Sequence, residues 1–101
     1  MNNFFEKQSA IAAIVTTYEP KSETLEDQFR RLQGQVELLL VVDNGSSNSS
    51  EVAEIVSQYP FAQFIGVPEN QGLGWAHNEG IRRVLAMGAG AVLLLLSLIH
   101  I

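Results

Sequence analysis

The sequence lacks cysteine and has few charged side chains, and each shortage excludes a class of protein. Without cysteine the chain can form neither a disulfide framework nor a thiolate metal site, which fits a reducing compartment. Its six lysines and arginines form no long basic run and its net charge is −5, so we expect no nucleic-acid surface. The longest apolar run, residues 89–99, is interrupted by Gly90 and Ser97 and is too short to span a bilayer.

What is present is typical of one small folded domain. Apolar residues make up 47% of the chain and charged residues 17%, which is not the composition of a disordered protein. The 101 residues allow a single domain with a small core. No targeting segment is predicted at the amino terminus. We therefore expect a cytoplasmic protein, either free or peripheral to the inner face of a membrane that it does not enter.

Apolar runs alternate with amphipathic segments along the chain. The apolar runs predict strands at residues 10–17, 36–42, 64–67 and 91–96. Helix starts are indicated at Thr24, at Ser49 or Ser50, and at residues 72–74. The inner side of the third helix is expected to carry Ala76, Ile81, Val84 and Leu85. This alternation predicts an α/β fold with a doubly wound, mostly parallel sheet.

Polar residues collect just after three of the predicted strands, at residues 16–20, 43–50 and 68–74. In a parallel sheet these loops emerge at one edge, where open α/β sheets bind ligands. Asp43, which follows five apolar residues, is well placed to accept a hydrogen bond from a sugar hydroxyl or a nucleobase N–H. Any one of these loops is ordinary turn chemistry. The three together favour a nucleotide site.

Two common nucleotide motifs do not fit. Gly72 and Gly74 precede a predicted helix, but a dinucleotide-binding fingerprint needs a third glycine where the chain has His77. That fingerprint also follows the first strand, which here ends in Thr-Thr-Tyr-Glu-Pro. A P-loop is excluded because no Gly-Lys-Ser/Thr occurs.

Three segments resemble the family 2 glycosyltransferases of GT-A fold: IVTTYEP at 14–20, VVDNGSSN at 41–48 and ENQGLGWAHNEGI at 69–81. Within that family they are most similar to bacterial rhamnosyltransferases that build surface polysaccharide. The resemblance implies a Rossmann-like, nucleotide-sugar-binding half of a GT-A domain at residues 10–95. It leaves an N-terminal tail at 1–9 and a C-terminal tail at 96–101 that does not match the family.

The resemblance also implies the partner, a nucleotide-diphospho-sugar of the dTDP or UDP type, and the residues that bind it. The base pocket would be lined by Thr17, Tyr18 and Pro20. Asp43 would accept a hydrogen bond from the base imide N–H, which selects uracil or thymine. The turn after Asp43 would be shaped by Asn44 and Ser46.

The third segment would bind the rest of the nucleotide. Close approach of the backbone to the ribose and diphosphate would be allowed by Asn70, Gly72 and Gly74, with the helix N-terminus assisting an anionic group. Asn78 would point back into the site. His77 would either contact phosphate or be an exposed helical histidine, with equal weight. Trp75 is expected to pack rather than stack on a ligand.

The family carries an Asp-x-Asp motif after the fourth strand, which holds Mg²⁺ or Mn²⁺ against the diphosphate. Leu96 and Leu98 stand at those places, and leucine cannot ligate a metal. We therefore expect no metal bound by this chain and no catalytic residue in it. The chain would be an amino-terminal fragment with foreign residues at its end, and it would show no turnover.

Two functions remain open at the sequence level. The first is a glycosyltransferase fragment, whose family reaction transfers a sugar, rhamnose from dTDP-rhamnose, to a saccharide acceptor in surface polysaccharide synthesis. The alternative is a non-catalytic α/β nucleotide-binding or interaction module. The sugar, the acceptor, the anomeric outcome and the oligomeric state are not fixed by the sequence.

Overall fold

The computed structural model describes residues 11–98, and within them the chain forms four strands and three helices. In chain order these are β1 Ile11–Tyr18, α1 Ser22–Leu32, β2 Leu38–Asn44, α2 Ser49–Ser57, β3 Ala62–Val67, α3 Leu73–Ala86 and β4 Ala91–Leu98. The tail predicted at 1–9 lies outside the described residues. Of the tail predicted at 96–101, residues 96–98 belong to β4 and the remainder is also outside.

The four described strands form one parallel sheet in the order β3-β2-β1-β4. The register pairs Thr17 of β1 with Asp43 of β2, and Asp43 with Gly66 of β3. The prediction of an α/β fold with a parallel sheet is confirmed. Because the strands are parallel, the loops that follow β1, β2 and β3 all start at the same edge of the sheet, here called the carboxyl edge.

Helices cover both faces of the sheet, which explains why the central strands are apolar throughout. Alternate residues of a strand point to opposite faces. One face, formed by residues such as Ala13 and Leu39, packs against α1 and α2. The other face, which includes Ile14 and Leu40, packs against α3. A strand buried on both faces cannot alternate apolar with polar residues.

Helix α3 lies very close to the sheet because of Gly80. A Cβ atom at Gly80 would lie 2.7 Å from Cγ2 of Ile14, so the helix approaches the strand where a side chain is missing. Because of this contact, the side of α3 that faces the sheet carries Ala76, Gly80 and Val84, which are all buried. Leu85 follows Val84 by about 100° around the helix. It is 55% exposed, so its predicted place on the inner side was wrong.

Several element bounds also differ from prediction. Strand β2 runs over Leu38–Asn44 and not over 36–42, so Asp43 and Asn44 end the strand, and β3 begins at Ala62 and not at residue 64. Helix α1 begins at Ser22, so Thr24 lies inside its first turn and is not the N-cap. Strand β4 continues to Leu98 because its backbone stays paired with β1 as far as Tyr18. None of the described helices has the length and apolar character that crossing a membrane requires.

Candidate functional site

Three loops meet at the carboxyl edge and are joined by hydrogen bonds between their own residues. The first loop, residues 19–21, follows β1. The second loop, residues 45–48, follows β2, and the third loop, residues 68–72, follows β3. The bonds that join them involve side chains from the ends of the strands as well as from the loops. The result is a polar cluster fixed to the end of an apolar sheet.

Asp43 lies at the centre of this cluster and has no exposed surface. Its Oδ1 accepts hydrogen bonds from Oγ1 of Thr17 and from Oγ of Ser46, both at 2.6 Å. Its Oδ2 accepts one from the backbone N–H of Ser46 at 3.1 Å. The carboxylate therefore ties the end of β1 to the second loop. Its role as acceptor for a base N–H stays a prediction, and in this conformation the second loop covers it.

Glu19 is hydrogen-bonded to the second loop through both its backbone and its side chain. The backbone N–H of Glu19 donates to Oγ of Ser46 at 2.8 Å. Oγ of Ser47 donates to Oε1 of Glu19 at 2.5 Å, and the N–H of Ser47 donates to Oε2. These two bonds from Ser47 lower the pKa of the Glu19 carboxyl below its ordinary value of 4.5. Beside them, Nδ2 of Asn48 donates to the carbonyl oxygen of Pro20 at 3.0 Å.

The second and third loops are joined by a pair of asparagines. Nδ2 of Asn44 donates to Oδ1 of Asn70 at 3.1 Å. Oδ1 of Asn44 accepts from the backbone N–H of Gln71 at 2.9 Å. Oδ1 of Asn70 also accepts from the N–H of Gly72 at 2.8 Å. Asn44, which is 3% exposed, therefore fixes the segment that leads into α3.

Gly45 allows the second and third loops to touch. Its φ of +81° lies in the left-handed region that favours glycine. A Cβ atom there would lie 2.5 Å from the backbone nitrogen of Asn70 and 2.7 Å from the carbonyl carbon of Glu69. Neither backbone atom can rotate away as a side chain can. The Asn-Gly pair in the motif is thus required by the packing of one loop on another.

The N-terminus of α3 opens at this edge. Gly72 is its N-cap residue, with a φ of +89°. Among the described residues, no heavy atom outside their chain neighbours lies within 4 Å of where a Cβ would stand on Gly72 or Gly74. Backbone N–H groups at the start of a helix have no partner within the helix and favour anions. This end of the 14-residue helix is therefore open to a ligand.

The remaining predicted site residues differ in how they are placed. Tyr18 ends β1 and is 37% exposed, whereas Pro20 is buried. Asn78 is exposed and lies about 200° around α3 from Gly80, so the structure does not bring it together with the others. Trp75, which was expected to pack, is 44% exposed in the first turn of α3.

Three polar atoms near the carboxyl edge are buried and have no hydrogen-bond partner among the described residues: Oγ1 of Thr16, Oδ1 of Asn48 and Nε2 of His77. Thr16 is 1% exposed and pairs with Val42, on the sheet face that packs against α3. Buried polar atoms are normally satisfied by protein or water. The atoms of Thr16 and His77 are available to a ligand or a water on the α3 side.

Sequence reasoning singled out Thr17 but missed Thr16, Glu19, Gly45 and Ser47. Thr16 could have been found, because consecutive threonines at the end of a doubly covered strand must face opposite sides of the sheet. The role of Ser47 could not, since it depends on the conformation of Glu19.

The divalent metal that the family's Asp-x-Asp motif would hold does not fit the residues present. Within the part of the chain that the structure describes, no three His, Asp or Glu residues are grouped so that they could hold a metal ion. Leu96 and Leu98, at the places of the family's carboxylates, pair through their backbones with Thr16 and Tyr18. Leucine offers no side-chain oxygen, which Mg²⁺ and Mn²⁺ require.

Fold and site together define a small α/β domain with a polar loop cluster at the carboxyl edge of a parallel sheet. Comparisons of the chain with protein-family models, with curated proteins and with solved structures give no match. The family assignment therefore rests on the three sequence segments and is a proposal.

Proposed function

We propose that the chain binds a nucleoside-diphosphate sugar of the UDP or dTDP type, as the donor-binding half of a family 2 glycosyltransferase of GT-A fold. One observation carries the proposal. The three segments that resemble the family meet at one edge of the sheet, and they are joined there by their own motif residues: Thr17 to Asp43, and Asn44 to Asn70. Beside them an open helix N-terminus is available for an anion.

The diphosphate is the part of the ligand that the α3 N-terminus suits. Gly72 and Gly74 leave space for close approach of phosphate oxygens to backbone N–H groups. Oγ1 of Thr16 and Nε2 of His77, which have no partner in the described part of the chain, lie on the same side of the sheet and would supply further polar contacts. Backbone N–H groups bind an anion without a basic patch, so this site is compatible with a chain of net charge −5.

We place the base at the carboxyl edge, where Tyr18 ends β1 and the second loop follows β2. The exposed Tyr18 offers a ring face for stacking. Oδ2 of Asp43 accepts a single hydrogen bond in the structure, and a carboxylate oxygen can accept a second. In this proposal the second loop moves aside and the imide N–H of uracil or thymine takes that second place. Purines of the adenine type lack this donor.

The proposal covers donor binding and not transfer. The family reaction moves a sugar, rhamnose in the relatives that the chain most resembles, onto a saccharide hydroxyl. Leu96 and Leu98 offer no oxygen ligand, so this chain lacks the residues that would hold the family's metal. We propose that the polypeptide as it stands binds the donor without turning it over.

A second function, the non-catalytic interaction module, is favoured by one observation. Leu93 and Leu94 of β4 are 43% and 44% exposed on opposite faces of the sheet. Within the described residues β4 is paired on one side only, so its other backbone edge is open. An apolar edge strand of this kind favours association with another chain. The open edge of β4 lies at the side of the sheet, away from the polar loops of the carboxyl edge.

The chain contains a single tryptophan, Trp75, and it lies in the first turn of α3. Its fluorescence therefore reports directly on the proposed diphosphate site. We would titrate the protein with UDP, dTDP, ADP and GDP, with and without Mn²⁺, by fluorescence and by calorimetry. The expected result is saturable binding of UDP and dTDP, weaker binding of ADP, whose base lacks the ring N–H donor, and no effect of Mn²⁺.

Tyr18→Ala and Ile11→Ala form a matched pair for this experiment. The two residues stand at opposite ends of β1 and are similarly exposed, at 37% and 39%. Loss of base stacking on Tyr18 should weaken UDP binding roughly five- to one-hundred-fold. Ile11→Ala should leave it unchanged. Equal effects of the two changes, or no binding of any nucleotide, would refute the proposed function.

A further inference from the structure

Both polar atoms of the Asn44 side chain are hydrogen-bonded to the third loop. Nδ2 donates to Oδ1 of Asn70 at 3.1 Å, and Oδ1 accepts from the backbone N–H of Gln71 at 2.9 Å. These partners lie 26 and 27 residues further along the chain. The side chain of Asn44 therefore acts on the segment that leads into α3.

The start of α3 depends on this segment, because the helix has no side-chain cap of its own. Its N-cap residue is Gly72, which has no side chain to accept a bond from the first turn. The N–H of Gly72 donates instead to Oδ1 of Asn70 at 2.8 Å, the same oxygen that accepts from Asn44. Two consecutive hydrogen bonds thus connect the end of β2 to the N-cap of α3. The contact between Gly80 and Ile14 places the middle of the helix, and this amide pair places its beginning.

The position of Asn44 is fixed by the sheet and not by the second loop. Asn44 is the last residue of β2, pairs with Val67 of β3, and is 3% exposed. The second loop begins at the next residue. A movement of residues 45–48, which the proposed binding of the base requires, therefore does not require Asn44 to move.

The conformation that the amide pair holds is the one in which the N-terminus of α3 is accessible. Among the described residues outside their chain neighbours, no heavy atom lies within 4 Å of where a Cβ would stand on Gly72 or Gly74. Oγ1 of Thr16, which is buried and has no partner within residues 11–98, lies on the same face of the sheet as α3.

We propose that Asn44 is a positioning residue, which acts through Asn70 to place the N-terminus of α3 for the diphosphate of a nucleotide ligand. This inference rests on the proposed function, since it names a residue that shapes the same site. Asn44 itself is buried and need not touch the ligand.

Alanine at Asn44 and alanine at Asn70 interrupt the same connection at two points. Asn44→Ala removes both bonds to the third loop, and Asn70→Ala removes the oxygen that Asn44 and Gly72 share. Because Asn70 is exposed, its variant tests the connection even if Asn44→Ala does not fold. Asn48→Ala is the matched control. It removes an asparagine bond of 3.0 Å at the same edge, but that bond goes to the carbonyl oxygen of Pro20 in the first loop.

Calorimetry with UDP and with inorganic pyrophosphate, which carries the diphosphate charge without a base, measures the effect on the site. We expect Asn44→Ala and Asn70→Ala each to weaken the binding of both ligands by about ten-fold, the effect of losing one hydrogen bond. The double variant should also lose only about ten-fold, because the two residues act through one connection. Asn48→Ala should bind pyrophosphate as the native chain does.

Two further measurements separate positioning from a loss of fold. Asn70→Ala should keep a native midpoint of urea unfolding. Amide hydrogen exchange at Gly72 should accelerate in Asn70→Ala, where its acceptor is missing, and in Asn44→Ala, where Asn70 is no longer held. It should be unchanged in Asn48→Ala.

The possible failures are distinguishable. If the native chain binds UDP and the Asn44 and Asn70 variants bind UDP and pyrophosphate equally well, the positioning role is refuted and the proposed function stands. If the double variant loses about one-hundred-fold, the product of the two single effects, Asn44 does not act through Asn70 and the inference fails. It also fails if Asn48→Ala weakens pyrophosphate binding as much as Asn44→Ala, since the loss is then one of general stability. If the native chain binds neither ligand, the proposed function fails and the positioning role falls with it.

Discussion

Replacement of Gly45 by alanine should destabilise the protein far more than the same replacement at Gly34. Both glycines have nearly the same φ, +81° and +86°. They differ in what a new Cβ would meet. At Gly45 it would lie 2.5 Å from the backbone nitrogen of Asn70, whereas at Gly34 no heavy atom of the described residues outside its chain neighbours lies within 4 Å. The pair therefore separates the effect of positive φ from the effect of loop packing.

The expected magnitudes follow from these two terms. Alanine in the left-handed region costs roughly 1 kcal/mol, and this term applies to both variants. Steric overpacking adds about 1–3 kcal/mol, and it applies to Gly45 alone. We therefore expect the free energy of unfolding to fall by about 1 kcal/mol for Gly34→Ala and by about 2–4 kcal/mol for Gly45→Ala. The second loss is a large share of the roughly 5–15 kcal/mol that stabilises a domain of this kind.

Urea unfolding measures the difference directly, with the free energy taken from the midpoint and slope of each transition. Gly45→Ala should also weaken UDP binding, because separating the second and third loops breaks the bonds between Asn44 and Asn70. Gly34 lies at the opposite edge, so Gly34→Ala should bind UDP as the native chain does. If the two variants lose equal stability, the second and third loops do not pack as described and the geometry of the candidate site is wrong.

Three further substitutions and conditions test other parts of the structure. Gly74→Ala should leave the free energy of unfolding unchanged or raise it by up to about 1 kcal/mol, since alanine favours helix and the space is open. It should nevertheless weaken UDP binding in calorimetry, and unchanged affinity would show that no phosphate approaches there. Gly80→Ala should destabilise by about 1–3 kcal/mol in urea unfolding, because its Cβ would lie 2.7 Å from Ile14, and a neutral result would mean that α3 stands further from the sheet. The pKa values of Glu19 and Glu79 are lowered in the folded state, by bonds from Ser47 and from Arg82 and Arg83 respectively. Their contribution to stability is therefore complete above the ordinary pKa of 4.5 and is lost as the pH falls through the lowered values. The double variant Glu19→Gln, Glu79→Gln should lose less of its free energy of unfolding than the native chain as the pH falls below 4.5.

The fold was predictable because its physical signal is local and strong. A strand covered on both faces must be apolar throughout, and segments such as residues 38–42 carry that signal without reference to the rest of the chain. The error at Leu85 has a different origin. Helical periodicity identifies an apolar stripe, but the centre of that stripe was set by the contact between Gly80 and Ile14. A missing side chain gives no signal in a pattern of apolar residues.

The site was predictable only in its location. Parallel strands bring residues such as Thr17 and Asp43 to one edge, so their proximity follows from the fold. Their hydrogen bond depends on the register of β1 against β2, which the sequence does not specify. The conformation of Glu19 is further from prediction, since positive φ at a glutamate has no sequence signature.

Some residues of the three segments are hydrogen-bonded within the fold, whereas others have no such structural role. Asp43 and Asn44 are buried and hydrogen-bonded within the chain, so the loops themselves are sufficient reason for their presence. Within residues 11–98, Tyr18, the open N-terminus of α3 and the buried oxygen of Thr16 have no such use. A chain that needed only a stable loop cluster would not require an exposed aromatic ring beside an unpartnered polar atom. Evidence for binding must therefore come from substitutions at residues that are not used in the fold, such as Tyr18. Substitutions at the hydrogen-bonded residues Asp43 and Asn44 will perturb folding whether or not a nucleotide is bound.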